Sequence, residues 1–358
     1  MIVRQTFVEL RRELRRRGFF GKPTFTSVVQ LGCSASLAIG GIILFFTLSN
    51  WIGRGSALLV SAAGSIGIGT NTHTSSHGAT SERKWINELL TYLGFSVHAG
   101  LSATYWWHKH VLIHHSGPNV IGLDHDADLS PWFAMTEDEV ARASGWRKFY
   151  YIHFQHLVFP VAVGLLLLSQ QVAGCAYLFS VLQDPKRRQS PHWLDAGSLV
   201  LHGMLHLALP MVLFSARDVI VFYIARNILI SYGMFAVLAP AHMHPEAARL
   251  SMDLADTEYA LAQTSTTLNY RTGRLGRLLC SGLDYQIEHH LFPDISHVFY
   301  PEMSRVVEEY CRTESLAYRS YNWDSALWNS LMALKHPGVI RHSTALQGSP
   351  SMVKSQDS

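Results

Sequence analysis

The sequence predicts an all-α integral membrane protein with four transmembrane helices arranged in two hairpins. Apolar residues make up 48% of the 358 residues and charged residues only 15%, whereas soluble domains carry about 25% charged residues. Several apolar runs are long enough to cross the ~30 Å hydrocarbon core of a bilayer. The chain also contains 20 histidines against 29 lysines and arginines, and this excess indicates a chemical role for imidazole.

Composition excludes several other classes of protein. The net charge of +3 is small and dispersed, so the chain lacks the basic surface of a nucleic-acid-binding protein. Its content of large aliphatic residues excludes an intrinsically disordered chain. Four cysteines spread along the sequence, with no CxxC pair, exclude a disulfide scaffold.

The first apolar run follows a basic segment, residues 1–26, which we expect on the cytoplasmic side. A signal peptide is the competing interpretation, but the run is longer than a usual signal core and a second apolar stretch follows at once. We therefore interpret the run as a membrane anchor. The predicted crossings are about 28–49 and 54–71 in the first hairpin, and about 198–216 and 219–240 in the second.

The remaining apolar run, 151–182, contains histidines, glutamines and a proline, so we expect it to lie at the membrane interface without crossing. A second basic segment, 186–188, belongs on the same side as the N-terminal arginines by the positive-inside rule. An even number of crossings must separate the two segments. We therefore expect four crossings with both termini cytoplasmic, a membrane domain over 27–319, and a C-terminal segment over 320–358 that is disordered after about 342.

Three histidine clusters dominate the polar sequence. On an α-helix, positions i and i+4 share a face, while the second histidine of an HH pair points about 100° away. Neutral imidazole binds Fe, Zn, Cu and Ni, and seven clustered histidines exceed the needs of one ion but suit two. The clusters are His73 with His77, then His110, His114 and His115, then His289 with His290, preceded by Gln286.

These motifs carry a family resemblance. HTSSHGA, WWHKHVLIHHSGPN with the acids Asp124, Asp126 and Asp128, and QIEHHLFPDISH resemble the histidine boxes of membrane fatty-acid desaturases, and the resemblance covers about 27–319. Gln286 in place of a first histidine is similar to the front-end and related bacterial acyl desaturases. The resemblance implies a helical membrane fold with a cytosolic helical cap that holds a di-iron centre. It also implies O2-dependent removal of two hydrogens from an acyl chain.

The resemblance further implies which residues bind iron. His242 comes from the family's spacing alone, and we prefer it to His244, two residues further on. Gln286 and His297 are possible additional ligands or hydrogen-bonding groups around the ligands, and Asp124 and Asp128 are expected to orient histidines or cap a helix. The implied iron ligands are His73, His77, His110, His114, His115, His242, His289 and His290.

The resemblance to desaturases also implies partners for the protein and leaves alternative reactions open. The expected substrate is a fatty acyl chain on coenzyme A, an acyl carrier protein or a lipid. Two electrons are expected from a separate donor protein, such as ferredoxin or cytochrome b5. The reason is that Val339 follows His336-Pro337-Gly338, so the HPGG haem motif of a fused cytochrome b5 domain is incomplete. Hydroxylases and acetylenases of the same superfamily share these boxes and remain alternatives. A membrane zinc hydrolase, which needs one metal ion and a carboxylate base, and a metal transporter are the alternatives from other classes.

Overall fold

The computed structural model describes residues 2–252 and 258–341, with the side chains of all these except 2–6 and Leu275. This part of the chain is mostly helical and contains long apolar helices, as the sequence predicts for a membrane protein. The tail after 342, for which the sequence predicts disorder, lies outside the described residues.

Seventeen α-helices are present in the described ranges. Up to the second basic segment they are α1 Ile2–Arg16, α2 Thr24–Thr47, α3 Trp51–Ser76, α4 Lys84–Thr91, α5 Ala103–Trp106, α6 Glu137–Arg142, α7 Gly145–His153, α8 Gln155–Val163 and α9 Leu166–Gln183. After it they are α10 Ser190–Gly203, α11 Leu209–Leu213, α12 Ala216–His242, α13 Tyr259–Thr266, α14 Arg274–Cys280, α15 Gln286–Leu291, α16 Tyr300–Thr313 and α17 Trp323–Met332. Three π-helical segments, Tyr92–Ala99, Trp107–Ile113 and Met204–Ala208, continue α4, α5 and α10.

Four short strands in the described part of the chain qualify the prediction of an all-α fold. They form two parallel pairs, in which Arg249 lies opposite Ile340 and Asn269 lies opposite Ser320. Strands of two or three residues are too short for sequence periodicity to reveal. The strands are β1 Arg249–Leu250, β2 Asn269–Arg271, β3 Ser320–Asn322 and β4 Ile340–Arg341, and they pair as β1–β4 and β2–β3.

Five helices in the described ranges are long and apolar enough to cross a membrane. They are α2, α3, α9, the continuous helix Ser190–Leu213 that includes α10 and α11, and α12. Four of them overlap the four predicted crossings, while α9 lies in the run predicted at the interface. The number of four crossings therefore stays a prediction.

The helix that contains the predicted third crossing begins at Ser190, eight residues before the predicted start at 198. The reason is that Asp195, a residue that normally ends an apolar segment, is completely buried in this helix. Its carboxylate accepts hydrogen bonds from the hydroxyls of Ser96 and Ser102, both at 2.6 Å, and from the backbone N–H of Thr104 at 2.9 Å. Donors from a distant part of the chain thus allow the charge to be buried.

Helices α2 and α3 pack closely enough that a glycine is required at their contact. A Cβ atom added to Gly41 would lie 2.5 Å from the backbone nitrogen of Ser61 and 2.7 Å from the carbonyl oxygen of Ala57. A Cβ atom on Gly64 would overlap the backbone nitrogen of Ala38. Small residues allow this close approach of backbones in membrane helices.

We expect Gly41→Leu to destabilise the α2–α3 hairpin by about 1–3 kcal/mol or more, because the added side chain must force the two backbones apart. The neighbouring Gly40 has no atom within 4 Å of its Cβ position, so Gly40→Leu is a matched control with the same gain in side-chain volume. Thermal unfolding in detergent should show a lower midpoint for Gly41→Leu only. Equal midpoints for the two variants would contradict this packing.

A hydrophobic core beneath the third histidine box joins the N-terminal helix to the C-terminal part of the chain. Leu14 of α1, Ile287 of α15 and Met303 of α16 are each fully buried in it. An ion pair of 2.7 Å between Arg11 and Asp294 borders the same core. The short helix α15, which carries His289 and His290, is therefore held from several sides.

Candidate metal centre

Eight buried or half-buried histidines converge at one place in the fold. The ligand nitrogens within each of two groups lie within 4.8 Å of one another. These eight are the histidines that the resemblance to histidine-box desaturases implies as iron ligands. The first group is His73, His77, His110, His115 and His289, and the second is His114, His242 and His290.

The first histidine box lies at the end of a long helix. His73 is in the last turn of α3 and His77 directly follows the helix. The i, i+4 spacing places their rings 4.8 Å apart, on the same side of the helix. The last turns of α3 are buried almost throughout, so the helix delivers both imidazoles into the protein interior.

The second box adopts a different local structure from the α-helix assumed in the sequence analysis. Residues Trp107–Ile113 form a π-helix, and His114–Ser116 form a 3-10 turn. The rings of His110 and His114 still stack, 4.9 Å apart with 18° between their planes. His114 and His115 belong to different groups, as do His289 and His290, which is the arrangement expected when adjacent side chains diverge by about 100°.

Hydrogen bonds on the outer side of the cluster fix four of the rings. His110 Nδ1 lies 3.1 Å from Asp126, and His114 Nδ1 lies 2.8 Å from Asp124. His289 Nδ1 lies 3.1 Å from the Tyr300 hydroxyl, and His290 Nδ1 lies 2.9 Å from the Gln263 side-chain oxygen. In each ring Nδ1 is engaged and Nε2 is left to face the other histidines, as is usual for metal-binding histidines.

The spacing of the inward nitrogens fits metal ligation. The Nε2 atoms of His73 and His110 are 2.8 Å apart, and those of His115 and His289 are 3.1 Å apart. Two nitrogens that bind one ion at about 2.1 Å and at a right angle lie about 3 Å apart. Within residues 2–252 and 258–341, His77 Nε2 and His290 Nε2 are buried without a hydrogen-bond partner, which is costly unless a ligand satisfies them.

The electrostatic environment keeps most of these imidazoles neutral. Burial, followed by the neighbouring histidines, lowers the pKa of His77, His115, His289 and His290 well below the usual value. Burial also acts to lower the pKa of His114, but the charge and hydrogen bond of Asp124 outweigh it and raise that pKa. Neutral imidazole is the form that binds metal ions.

Other residues named from the sequence lie outside the two groups. Both ring nitrogens of His297 are hydrogen-bonded, to Thr74 and to Gln30, so the ring is engaged away from the cluster. His244 contacts Asn329 and stacks on Tyr321. Gln286 is buried in the first turn of α15.

The three acids of the run 124–128 contact different partners from those expected, since Asp126 rather than Asp128 joins Asp124 in bonding to a histidine. Asp124 bonds to a histidine as expected, but Asp128 accepts hydrogen bonds from the backbone N–H groups of Gly122 and Ser130 and shapes the loop. Asp126 instead reaches His110 and forms a 2.7 Å ion pair with the buried Lys109. The loop fold decides which acid of the alternating run faces the histidines, and the spacing alone does not.

Tyr300 and Gln263 were not identified from the sequence. They are common residue types, and Gln263 lies 27 positions from its partner His290. The only available signal for Tyr300 was its position after the HLFPDISH segment, which carries no pattern of its own.

Comparison with known proteins gives a consistent result. A family model described as fatty acid desaturase matches residues 49–322. The sn-1 linoleoyl-lipid 6-desaturase of Arthrospira platensis is 26% identical over 70% of this chain and 68% of its own length. Fatty acid desaturase 3 of Homo sapiens is 23% identical over 90% and 70%, and the Delta(8)-fatty-acid desaturase of Euglena gracilis is 29% identical over 88% and 74%.

Proposed function

Because the chain belongs to the fatty acid desaturase family and is a membrane fatty acyl desaturase, we propose that it introduces a double bond into a fatty acyl chain with two bound iron ions and O2. The observation that carries this proposal is the convergence of eight histidines, from four distant segments, into two adjoining groups. A hydroxylase, an acetylenase, a zinc hydrolase or a metal transporter would have to account for the same convergence of histidines.

The eight histidines would hold the two ions, and their chemistry suits iron because imidazole is a good ligand for it. Iron supplies the oxidising power for removing hydrogen from an unactivated methylene, which no side chain can do. The number of inward nitrogens exceeds the four ligands of a single structural zinc ion.

The surrounding residues orient the ligands and keep water away. Asp124, Asp126, Tyr300 and Gln263 hold four rings in fixed orientations. His73 and His242 lie at the ends of α3 and α12, and His289 and His290 lie in α15. The burial of His73, His289 and His290 limits the access of water to their rings.

The zinc hydrolase alternative requires a carboxylate that is free to act as a general base. Asp124 and Asp126, whose carboxylate oxygens lie within 4.8 Å of a His114 nitrogen, are both bonded to histidine Nδ1 atoms. Burial acts to raise the pKa of Asp126, but Lys109 and His110 outweigh it and hold that pKa well below the usual value. Each acid is thus engaged as a ring-orienting anion, which favours the desaturase proposal.

Geometry supports four membrane crossings with the active site and both termini cytoplasmic. His73 and His242 end α3 and α12 and meet in one cluster, so the chain between them crosses the membrane an even number of times. Helix α12 is about 40 Å long and follows the preceding helix after the two residues Phe214 and Ser215. These two helices form the second hairpin, which leaves α9 on the side of the histidines. The basic segments 1–26 and 186–188 favour the cytoplasm for that side.

The domain and partner assignments also belong to this proposal. The membrane domain covers 27–319, after the basic segment 1–26 and before the segment 320–358. Two electrons come from a separate donor, ferredoxin or cytochrome b5, and the acyl group is carried by coenzyme A, an acyl carrier protein or a lipid. The Arthrospira relative is named for a lipid-linked chain, so a membrane lipid is the first carrier to test.

Expression in a desaturase-deficient host, followed by mass spectrometry of all fatty acyl products, tests the proposed function. We expect acyl chains that have lost two hydrogens, formed only when O2 is present. A product that has gained one oxygen would instead indicate a hydroxylase. Product formation that continues without O2 would contradict the oxidative mechanism altogether.

A further inference from the structure

A second polar cluster lies inside the membrane-spanning part of the protein, away from the metal centre. Its central residue is Arg226, in α12, which is only 1% exposed. A charged side chain is expensive in the hydrocarbon region and normally faces a paired charge or a functional site. In the described part of the chain, Arg226 forms no ion pair with a carboxylate; the ion pair of α12 is that of Asp218 with Arg54, near the helix start.

The guanidinium group of Arg226 is only partly satisfied by its neighbours. Its Nη2 atom donates hydrogen bonds to the Ser65 hydroxyl at 2.8 Å and to His98 Nε2 at 2.7 Å. Its Nε atom is buried and has no hydrogen-bond partner among the described residues. Arginine stays protonated in proteins and offers five N–H donors, so an unsatisfied donor and an uncompensated positive charge occur in the same group.

Two π-helical segments meet at this cluster. His98 lies in the segment Tyr92–Ala99, and His206 lies in the segment Met204–Ala208, with the two rings 5.6 Å apart. Isolated π-helical turns are rare and are often found at functional sites. Both segments thus bring a histidine to the neighbourhood of the buried arginine.

A glycine allows two further polar side chains to approach the backbone closely next to the same residues. Gly100 has a φ of 66°, and a Cβ atom there would lie 2.7 Å from His202 Nε2 and 3.0 Å from the Gln171 amide nitrogen. The His202 ring is held on one side by the carbonyl oxygen of Val97 and on the other by the Tyr223 hydroxyl, each at 2.9 Å. These polar side chains thus form an ordered shell in an otherwise apolar region.

The cluster is separate from the histidines of the metal centre. Ser65 precedes His73 by eight residues on α3, which corresponds to about 12 Å along the helix axis. Arg226 precedes His242 by 16 residues on α12, which corresponds to about 24 Å. The charge of Arg226 also makes the cluster unsuitable for a metal cation.

We propose that Arg226, His98 and Ser65 form an intramembrane binding site for one monovalent anion. The bound anion accepts a hydrogen bond from the free Nε–H group of Arg226 and neutralises the guanidinium charge. It thereby satisfies both the unpaired donor and the uncompensated charge of the site. A chloride ion from solution and the carboxylate of a membrane-dissolved fatty acid share this chemistry. The site stands independently of the desaturase proposal, because none of its residues belongs to the metal centre.

The test is thermal unfolding of the purified protein in detergent, with gluconate as the starting anion. Chloride is titrated in one series and decanoate in another, with ionic strength held constant and decanol as the uncharged control for decanoate. We expect a saturable rise of the unfolding midpoint with at least one of the two anions, and the series that responds identifies the source. Arg226→Met should weaken the response about ten- to a hundredfold, whereas Arg217→Met, at the exposed start of α12, should not change it.

Equilibrium dialysis of the unaltered protein with radioactive chloride or decanoate provides a second measurement that does not depend on whether Arg226→Met folds. One bound anion per chain supports the site. The absence of stoichiometric binding by both probes would overturn it, as would an unchanged response in a folded Arg226→Met variant.

Discussion

Replacing His110 by alanine is expected to abolish desaturation while leaving the protein in the membrane. The Nε2 atom of His110 faces that of His73 at 2.8 Å, and its Nδ1 atom is held by Asp126. Removing the ring takes away one inward ligand and leaves the Asp126 carboxylate without its histidine partner. We expect a loss of more than about 100-fold in turnover, since even residues that merely support metal ligands contribute about 10–100-fold.

His108 provides the matched control for this experiment. It lies two residues earlier in the same π-helical segment, but its side chain is exposed and stacks on Tyr177. His108→Ala should keep nearly full activity in the same assay, with comparable amounts of protein in the membrane fraction. Full activity in His110→Ala, or an equal loss in both variants, would contradict the ligand assignment.

The second large effect is expected from Asp124→Asn, which changes a charge and almost no volume. The Asp124 carboxylate is 1% exposed; it accepts hydrogen bonds from the Asn119 N–H at 2.8 Å and the Asp126 N–H at 2.9 Å, and pairs with His114 Nδ1. Asparagine lacks the negative charge with which Asp124 favours the Nδ1–H tautomer of His114. We expect metal affinity and activity to fall about 10–100-fold.

The same acidic run contains the control. Asp128 is part of the alternating acids but bonds only to backbone N–H groups of its loop. Asp128→Asn should retain metal and activity, because the asparagine oxygen can still accept one of the two hydrogen bonds and neither of them involves a histidine. Metal content and activity should therefore separate the two variants; similar behaviour would show that Asp124 has no special role in orienting His114.

The sequence was informative wherever a pattern is local. Spacing of three or four residues identified the pairs His73 with His77 and His110 with His114, and hydropathy identified the long apolar helices. His242 stands alone in the sequence, and the family resemblance was needed to single it out. Its ring lies 4.8 Å from that of His114.

Features that depend on distant contacts could not be predicted in the same way. Gln263 and Tyr300 are oriented toward histidines by the packing of α13 and α16 against α15. Asp195 and Arg226 lie within apolar helices because partners from other helices receive their polar atoms, whereas hydropathy averages over a window and does not register such partners. The π-helical form of the second box was likewise not predicted, because the spacing of its histidines was interpreted on an α-helix.

The central claim is that the two histidine groups bind two iron ions, and counting metals tests it most directly. The protein should be purified without added chelator from cells supplied with both iron and zinc, and its metals measured by mass spectrometry against protein concentration. The account predicts about two iron ions per chain, with iron content reduced in His110→Ala and unchanged in His108→Ala. One zinc ion per chain and no iron, or iron content that does not depend on His110, would contradict it.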